Sequence, residues 1–219
     1  RVTSALTDNT VATQPEFTDE QRALARTGKL RVRIEERSPD FAVEIIAPDK
    51  PGLLSVVAGV LNVARFDVRS ARTQTFENSA IMKWIVTPNQ YAPTVNGDLI
   101  HKMIADALDD SRELKERIEQ RIADYASLPT IPVPSPTVET FLDAATDATI
   151  IEVRSHDRPA LLFGIGDVIT KCQIDIRSAI VTTLGAEAID TLYVTEIGGG
   201  PLTAQRAEEV AQRLSAALA

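Results

Sequence analysis

The sequence predicts an α+β fold in which one small unit is used twice. The first sign is an ungapped internal repeat. Residues 41–88 align with 149–196 at a constant offset of 108, and fifteen of the 48 aligned pairs are identical. The second sign is where the identities cluster. Asp49-Lys50-Pro51-Gly52-Leu53-Leu54 matches Asp157-Arg158-Pro159-Ala160-Leu161-Leu162, and Asp67-Val68-Arg69-Ser70-Ala71 matches Asp175-Ile176-Arg177-Ser178-Ala179. The third is length: 219 residues divide into two units near the low end of domain size. Function is therefore to be sought in a pair.

The elements follow in order. Residues 1–29 form a polar segment in which Thr18-Asp19-Glu20-Gln21 opens a short helix that runs through Ala25 and stops at Gly28. Leu30–Ile34 alternates at period 2 and reads as a half-buried strand, followed by a turn at Ser38-Pro39-Asp40. The first unit starts with an apolar strand, Phe41–Ala47. Its turn ends at Pro51, which suits a first helical turn because it lacks an N–H. Leu53, Leu54, Val57, Val60, Leu61 and Ala64 then line one helical face. Asp67–Phe76 and Ala80–Thr87 read as a hairpin joined at Glu77-Asn78-Ser79. Asn96–Tyr125 reads as one long helix. Leu128–Pro136 contains four prolines and reads as a stiff connector.

Val138–Leu142 reads as a further strand. The second unit repeats the plan, with strand 149–154, a helix from Pro159 to Cys172, strands 175–184 and 187–196, and a last helix over 203–218. The order β-α-β-β-α-β is that of the ferredoxin-like split unit. On this reading residues 137–142 complete the first unit. The second unit lacks its fourth strand, and Leu30–Ile34 is the candidate to fill that edge, because a bare edge is a liability. The expected domains are residues 30–142 and 143–219.

Composition narrows the function. Hydrophobic residues make up 44% and charged residues 25%, which is ordinary globular usage. A net charge of −8 argues against nucleic acid and anionic membrane as partners. Cys172 is the only cysteine, which fits a reducing compartment and a cytoplasmic location. No apolar run approaches the roughly 18 residues of a membrane span. The chain begins Arg1-Val2 without methionine and reads as part of a longer protein.

The turn Asp-x-Pro-Gly-Leu-Leu is the best candidate site. The unpaired N–H groups and positive dipole end of a helix start favour a carboxylate or phosphate. Gly52 lets a ligand approach the backbone closely. Asp49 either accepts from a ligand ammonium group or caps the helix. Ala160 stands where Gly52 stands in the first unit, so the second turn ranks lower. Arg69 and Arg177 either pair with strand-edge charges or line a pocket formed by the partner unit's turn. His156-Asp157 lacks the further His and Asp ligands of a metal-dependent phosphohydrolase, since the other histidine is His101. No phosphate loop, dinucleotide fingerprint or nucleophile elbow is present. No residue qualifies as catalytic and none as a metal ligand.

The βαββα order with Asp-x-Pro-Gly-Leu-Leu in its first turn resembles the ACT domain, a small-molecule sensing module. The tandem pair resembles the C-terminal end of the bifunctional PII uridylyltransferase/uridylyl-removing enzymes. That resemblance implies two ferredoxin-like ACT domains with their sheets side by side and ligands at the junction. It implies an L-glutamine effector that controls nucleotidylation and de-nucleotidylation of the PII nitrogen-signalling protein. Nucleotidyltransferase and metal-dependent phosphohydrolase domains would lie elsewhere in a parent chain that uses Mg2+ and UTP or ATP. The fragment itself would be no enzyme and would hold no cofactor. Carried over, the ligand site is Asp49, Lys50, Pro51, Gly52, Leu53 and Leu54 against Asp175, Ile176, Arg177 and Ser178. The weaker reciprocal site is Asp157, Arg158, Pro159 and Ala160 against Asp67, Val68, Arg69 and Ser70. The alternatives are a structural pair with degenerate pockets that only dimerises, or a sensor of another amino acid.

Overall fold

The computed structural model describes residues 17–90, 92, 96–126 and 133–218. Eight strands form one antiparallel sheet: β1 (Arg31–Arg37), β2 (Asp40–Pro48), β3 (Phe66–Phe76), β4 (Ser79–Pro88), β5 (Thr137–Phe141), β6 (Thr149–His156), β7 (Ile174–Leu184) and β8 (Glu187–Glu196). The helices are α1 (Asp19–Arg26), α2 (Leu53–Val63), α3 (Gly97–Asp109), α4 (Arg112–Ala126), α5 (Leu161–Lys171) and α6 (Ala204–Leu218). The sheet order is β1-β2-β4-β3-β7-β8-β6-β5. It reads as two ferredoxin-like units joined edge to edge, with β3 beside β7.

The junction obeys the repeat. Arg72 pairs with Ile180, Ser70 with Thr182 and Gln74 with Ser178. Arg72 and Ile180 are repeat equivalents, so a local two-fold axis passes between them. The same axis relates α2 to α5, which pack together. The Ser55 hydroxyl donates to the carbonyl of its repeat equivalent Phe163 at 2.9 Å. A Cβ on Gly166 would lie 3.0 Å from Ser55 Cβ and 3.2 Å from its Cα, so the helices cross here with almost no space to spare.

One hydrophobic core runs through both units. It takes Val43, Ile45, Met82, Trp84, Ile151 and Leu192 from the sheet and Val57, Leu61, Ile165 and Ile169 from the central helices. Sheet residues of the opposite parity face the other way. There Ile46 and Ile81 pack with Ala25, Phe17, Leu24 and Phe76 under α1. A capping box between Thr18 and Gln21 starts α1, as the sequence signals.

Two expectations are corrected. β1 does not reach the second unit; it pairs with β2 in the first. β5 does not complete the first unit; it pairs with β6 in the second. Residues 137–142 therefore move to the second domain. Both fourth strands arrive from the N-terminal side as hairpin neighbours, β1 through the turn at Ser38-Pro39 and β5 through residues 142–148. Short antiparallel connections carry the smallest closure cost, so the local partner wins over a crossover.

The expected single helix over 96–125 is two helices. Asp110 is extended, with φ −145° and ψ 112°. Its carboxylate accepts from the Arg112 N–H at 3.0 Å and starts α4. The connector expected at 128–136 lies outside the described residues as far as 132. Among the described residues, no helix is long and apolar enough to cross a membrane.

Candidate functional site

Each unit carries a strand–turn–helix in which the residue before the helix is left-handed. Gly52 has φ 85° before α2, and Ala160 has φ 63° before α5. Asp49 N–H donates to the Asn78 carbonyl at 2.9 Å, and Asp157 N–H donates to the equivalent Ala186 carbonyl at 2.8 Å. The local axis then sets each turn against the partner unit's first long strand. Two clefts result, one between residues 49–54 and Ile174-Asp175-Ile176, the other between residues 157–160 and Phe66-Asp67-Val68. Of the strand residues read from the sequence against each turn, Asp175 and Ile176 line the first cleft and Asp67 and Val68 the second.

Arg69, Ser70, Arg177 and Ser178 do not line the clefts. The strand register shifts between Val68 and Ser70 and again between Ile176 and Ser178, so each arginine is the extra residue of a β-bulge. Arg69 Nε donates to the Thr87 hydroxyl at 2.9 Å, and Arg177 lies 3.6 Å from Asp175. Strand-edge pairing is thus what these arginines do. Their charges still reach the neighbouring turn aspartates, Arg69 acting on Asp157 and Arg177 on Asp49.

The clefts differ in size. The first encloses about 30 Å3, the second about 220 Å3. The first has room for about one water molecule. This reverses the order suggested by Gly52 and Ala160, and the causes lie in the walls. A Cβ on Gly52 would meet Thr170 Cγ2 at 3.6 Å, so the Thr170 methyl group stands over the glycine. The Thr170 hydroxyl donates to the Gly166 carbonyl at 2.7 Å, which holds it there. Met82, 1% exposed, lines the same cleft from the sheet. The repeat equivalents in the second cleft are Asn62 for Thr170 and Asp190 for Met82, both smaller or more polar at the wall.

The turn aspartates also differ. The Thr75 hydroxyl donates to Asp49 at 2.6 Å, tying that turn to β3. Burial nonetheless raises the Asp49 pKa, opposed by the Thr75 hydrogen bond. The equivalent Thr183 hydroxyl turns away and donates to the Val68 carbonyl at 3.0 Å. Asp157 keeps only the N–H of Arg158, in its own turn, as a hydrogen-bond donor. Burial first, then the Asp67 carboxylate, raises its pKa.

Three residues absent from the sequence-based site enter the second cleft. Asp190 is 1% exposed and its Oδ1 has no hydrogen-bond partner. Burial first, then Asp157, pushes its pKa from 3.8 up to about 7. Arg121 on α4 has Nε and Nη1 buried without a partner. Burial, then Arg65, lowers its pKa, yet a guanidinium stays charged. Asn62 Oδ1 is likewise unpaired. Buried polar atoms without partners are rare and mark places where something else completes the bonding. The cleft therefore offers acids (Asp157, Asp190, Asp67), the guanidinium groups of Arg121 and Arg158 and the start of a helix. That set is complementary to a small zwitterion. Among the described residues, no group of three or more His, Cys, Asp or Glu side chains is placed to hold a metal ion.

The chain is similar to one part of much longer proteins. It is 35% identical over 181 residues, 80% of its length, to a bifunctional uridylyltransferase/uridylyl-removing enzyme of Streptomyces coelicolor. It is 30% identical over 189 residues, 84% of its length, to the enzyme of that name in Erythrobacter litoralis. It spans 22% and 20% of those two proteins, about a fifth of each. No family model matches the chain. A crystal structure of an unknown protein from Galdieria sulphuraria, 15% identical, covers 82% of the chain and 91% of its own at a TM-score of 0.27. A superposition at that score shares too little geometry to bear on function.

Proposed function

We propose that this chain is a regulatory ACT pair of a bifunctional PII uridylyltransferase/uridylyl-removing enzyme, and that its second cleft binds free L-glutamine. Two relatives of that name at 30% identity or more support the parent. One observation carries the ligand reading: the 220 Å3 cleft brings together the buried, unpaired Asp190 Oδ1, the buried Nε and Nη1 of Arg121 without partners, the Asp157 carboxylate and a helix start. The α-carboxylate is received by the first amides of α5 together with Arg121. The α-ammonium is received by Asp157. The first cleft, with Asp49 held by Thr75, serves the fold.

In the parent, glutamine shifts the balance between adding a nucleotide to PII and removing it. It does so by binding two arrangements of the enzyme with different affinity. The transfer, with Mg2+ and UTP or ATP, belongs to domains beyond this chain.

Titration calorimetry with L-glutamine tests the reading. Saturable heat is expected, from the isolated chain or from the full-length parent. Its absence from both overturns the proposal. A structural reading draws on the back face of the second unit, where Phe141 and Ile180 are 40% and 38% exposed. It requires oligomers that form independently of any amino acid, and sedimentation with and without glutamine separates the two.

A further inference from the structure

We infer that Asp190 is the specificity determinant of the second cleft, admitting an uncharged amide side chain and rejecting the matching carboxylate. This rests on the glutamine reading above and goes beyond it by assigning the discrimination between glutamine and glutamate to one residue.

The position is unusual for an acid. Along β8 the residues Ala188, Asp190 and Leu192 share the core-facing side, and all three are buried. Repeat symmetry places Met82 at the same point of the first unit, where it closes the cleft. The acid there is poorly satisfied: Oδ1 is unbonded, and the charge that acts on it is another acid, Asp157. A buried carboxyl group whose Oδ1 is unbonded and which lines a 220 Å3 cavity is placed to contact what enters it.

The chemistry follows from its protonation. Burial holds the group near neutrality, with a pKa of about 7. As the neutral acid it makes two hydrogen bonds with a primary amide, its O–H donating to the amide oxygen and the amide N–H donating to its carbonyl. As the carboxylate it still accepts from the amide N–H. A ligand carboxylate is different. It can share the proton of the neutral acid, but once that proton is lost two anions face each other in a buried site. The other charged groups around the cleft are Asp157 and Arg158 on the turn, Asp67 on β3 and Arg121 on α4, with Arg69 and His156 acting on Asp157 and Arg65 acting on Arg121. Arg158 is directed to the Leu218 carbonyl, and Arg121 is assigned to the α-carboxylate. Arg69 donates to Thr87 and acts on Asp157, so no further cation among the cleft-lining residues remains to neutralise a second ligand carboxylate.

The test is calorimetric titration of the chain, or of the full-length parent, with L-glutamine and with L-glutamate across pH. In the native protein the ratio of glutamine to glutamate affinity should rise about tenfold between about pH 6 and about pH 8 as Asp190 loses its proton. Free glutamate keeps its side-chain charge throughout that range. In Asp190→Asn the ratio should be small and independent of pH, because the new amide donates to a carboxylate as readily as it bonds an amide. Asp190→Met, which installs the first unit's residue, should abolish binding of both. Folding of each variant is checked by circular dichroism. Glutamine binding whose selectivity and pH dependence survive Asp190→Asn overturns the inference while leaving the glutamine reading intact. Failure of native protein to bind either amino acid overturns both.

Discussion

The two clefts share a turn, a helix start and a local two-fold axis, yet one is closed and the other open. In the first, Thr170 covers Gly52, Met82 fills the sheet side and Thr75 holds Asp49. In the second, Asn62 and Asp190 replace the two plugging residues, Thr183 faces away from Asp157, and α4 adds Arg121 from outside the repeat. Duplication copied the backbone frame. The side chains at the walls set how much space each copy leaves. A motif read from the turn alone therefore says nothing of the space above it, which is greater in the copy with Ala160.

The largest expected effect breaks the comparison at Asp190. Its pKa is raised in the folded chain, from 3.8 to about 7, so between those limits the folded state binds more protons than the unfolded state. The contribution of Asp190 to stability is thus greatest below about pH 4, falls as pH rises, and levels off above about pH 7. Asp190→Asn should remove most of that fall and stabilise the ligand-free protein at neutral pH by on the order of a few kcal/mol. Denaturant melts at several pH values check this. Asp49 and Asp157 are shifted in the same direction and should leave a smaller residual fall.

Next is the crossing that joins the units. Gly166→Ala drives a methyl group against the Ser55 backbone and should cost about 1–3 kcal/mol, read from the denaturation midpoint. The left-handed turn residues provide a mirrored pair. Gly52→Ala should destabilise by about 1 kcal/mol, and Ala160→Gly should stabilise by about the same amount or slightly less, because only the alanine is strained at positive φ. Equal signs for the two would show that the turns are not equivalent frames. The smallest effect is Asp49→Ala, which loses the Thr75 hydrogen bond and should cost about 1 kcal/mol with no change in ligand affinity.

Much of this was legible in the sequence, for identifiable reasons. The βαββα order follows from periodicity and turn residues, and the repeat located both turns and the strands facing them. The break at Asp110 was hidden because the apolar positions Met103, Leu108, Leu114 and Ile118 continue across it. Only the capping potential of Asp110 signals the stop. The edge strands were assigned to the wrong units because alternation in β1 and β5 identifies a strand but not its neighbour. The short turn at Ser38-Pro39 was the clue to a hairpin. In the site, Asp190 carries a readable signal, an acid on the inward parity of a strand and opposite Met82 in the repeat. Arg121 carries none, since α4 has no counterpart in the second unit and its reach over the cleft depends on packing against α2.

The central claim is that one cleft of the pair, the second, is the effector site. The most direct measurement is the stoichiometry of L-glutamine binding by calorimetry in the native chain, Asp157→Ala and Asp49→Ala. The account expects one ligand per chain, binding lost in Asp157→Ala and retained in Asp49→Ala. Two equivalent ligands per chain, or binding that disappears with Asp49 and survives without Asp157, would contradict it.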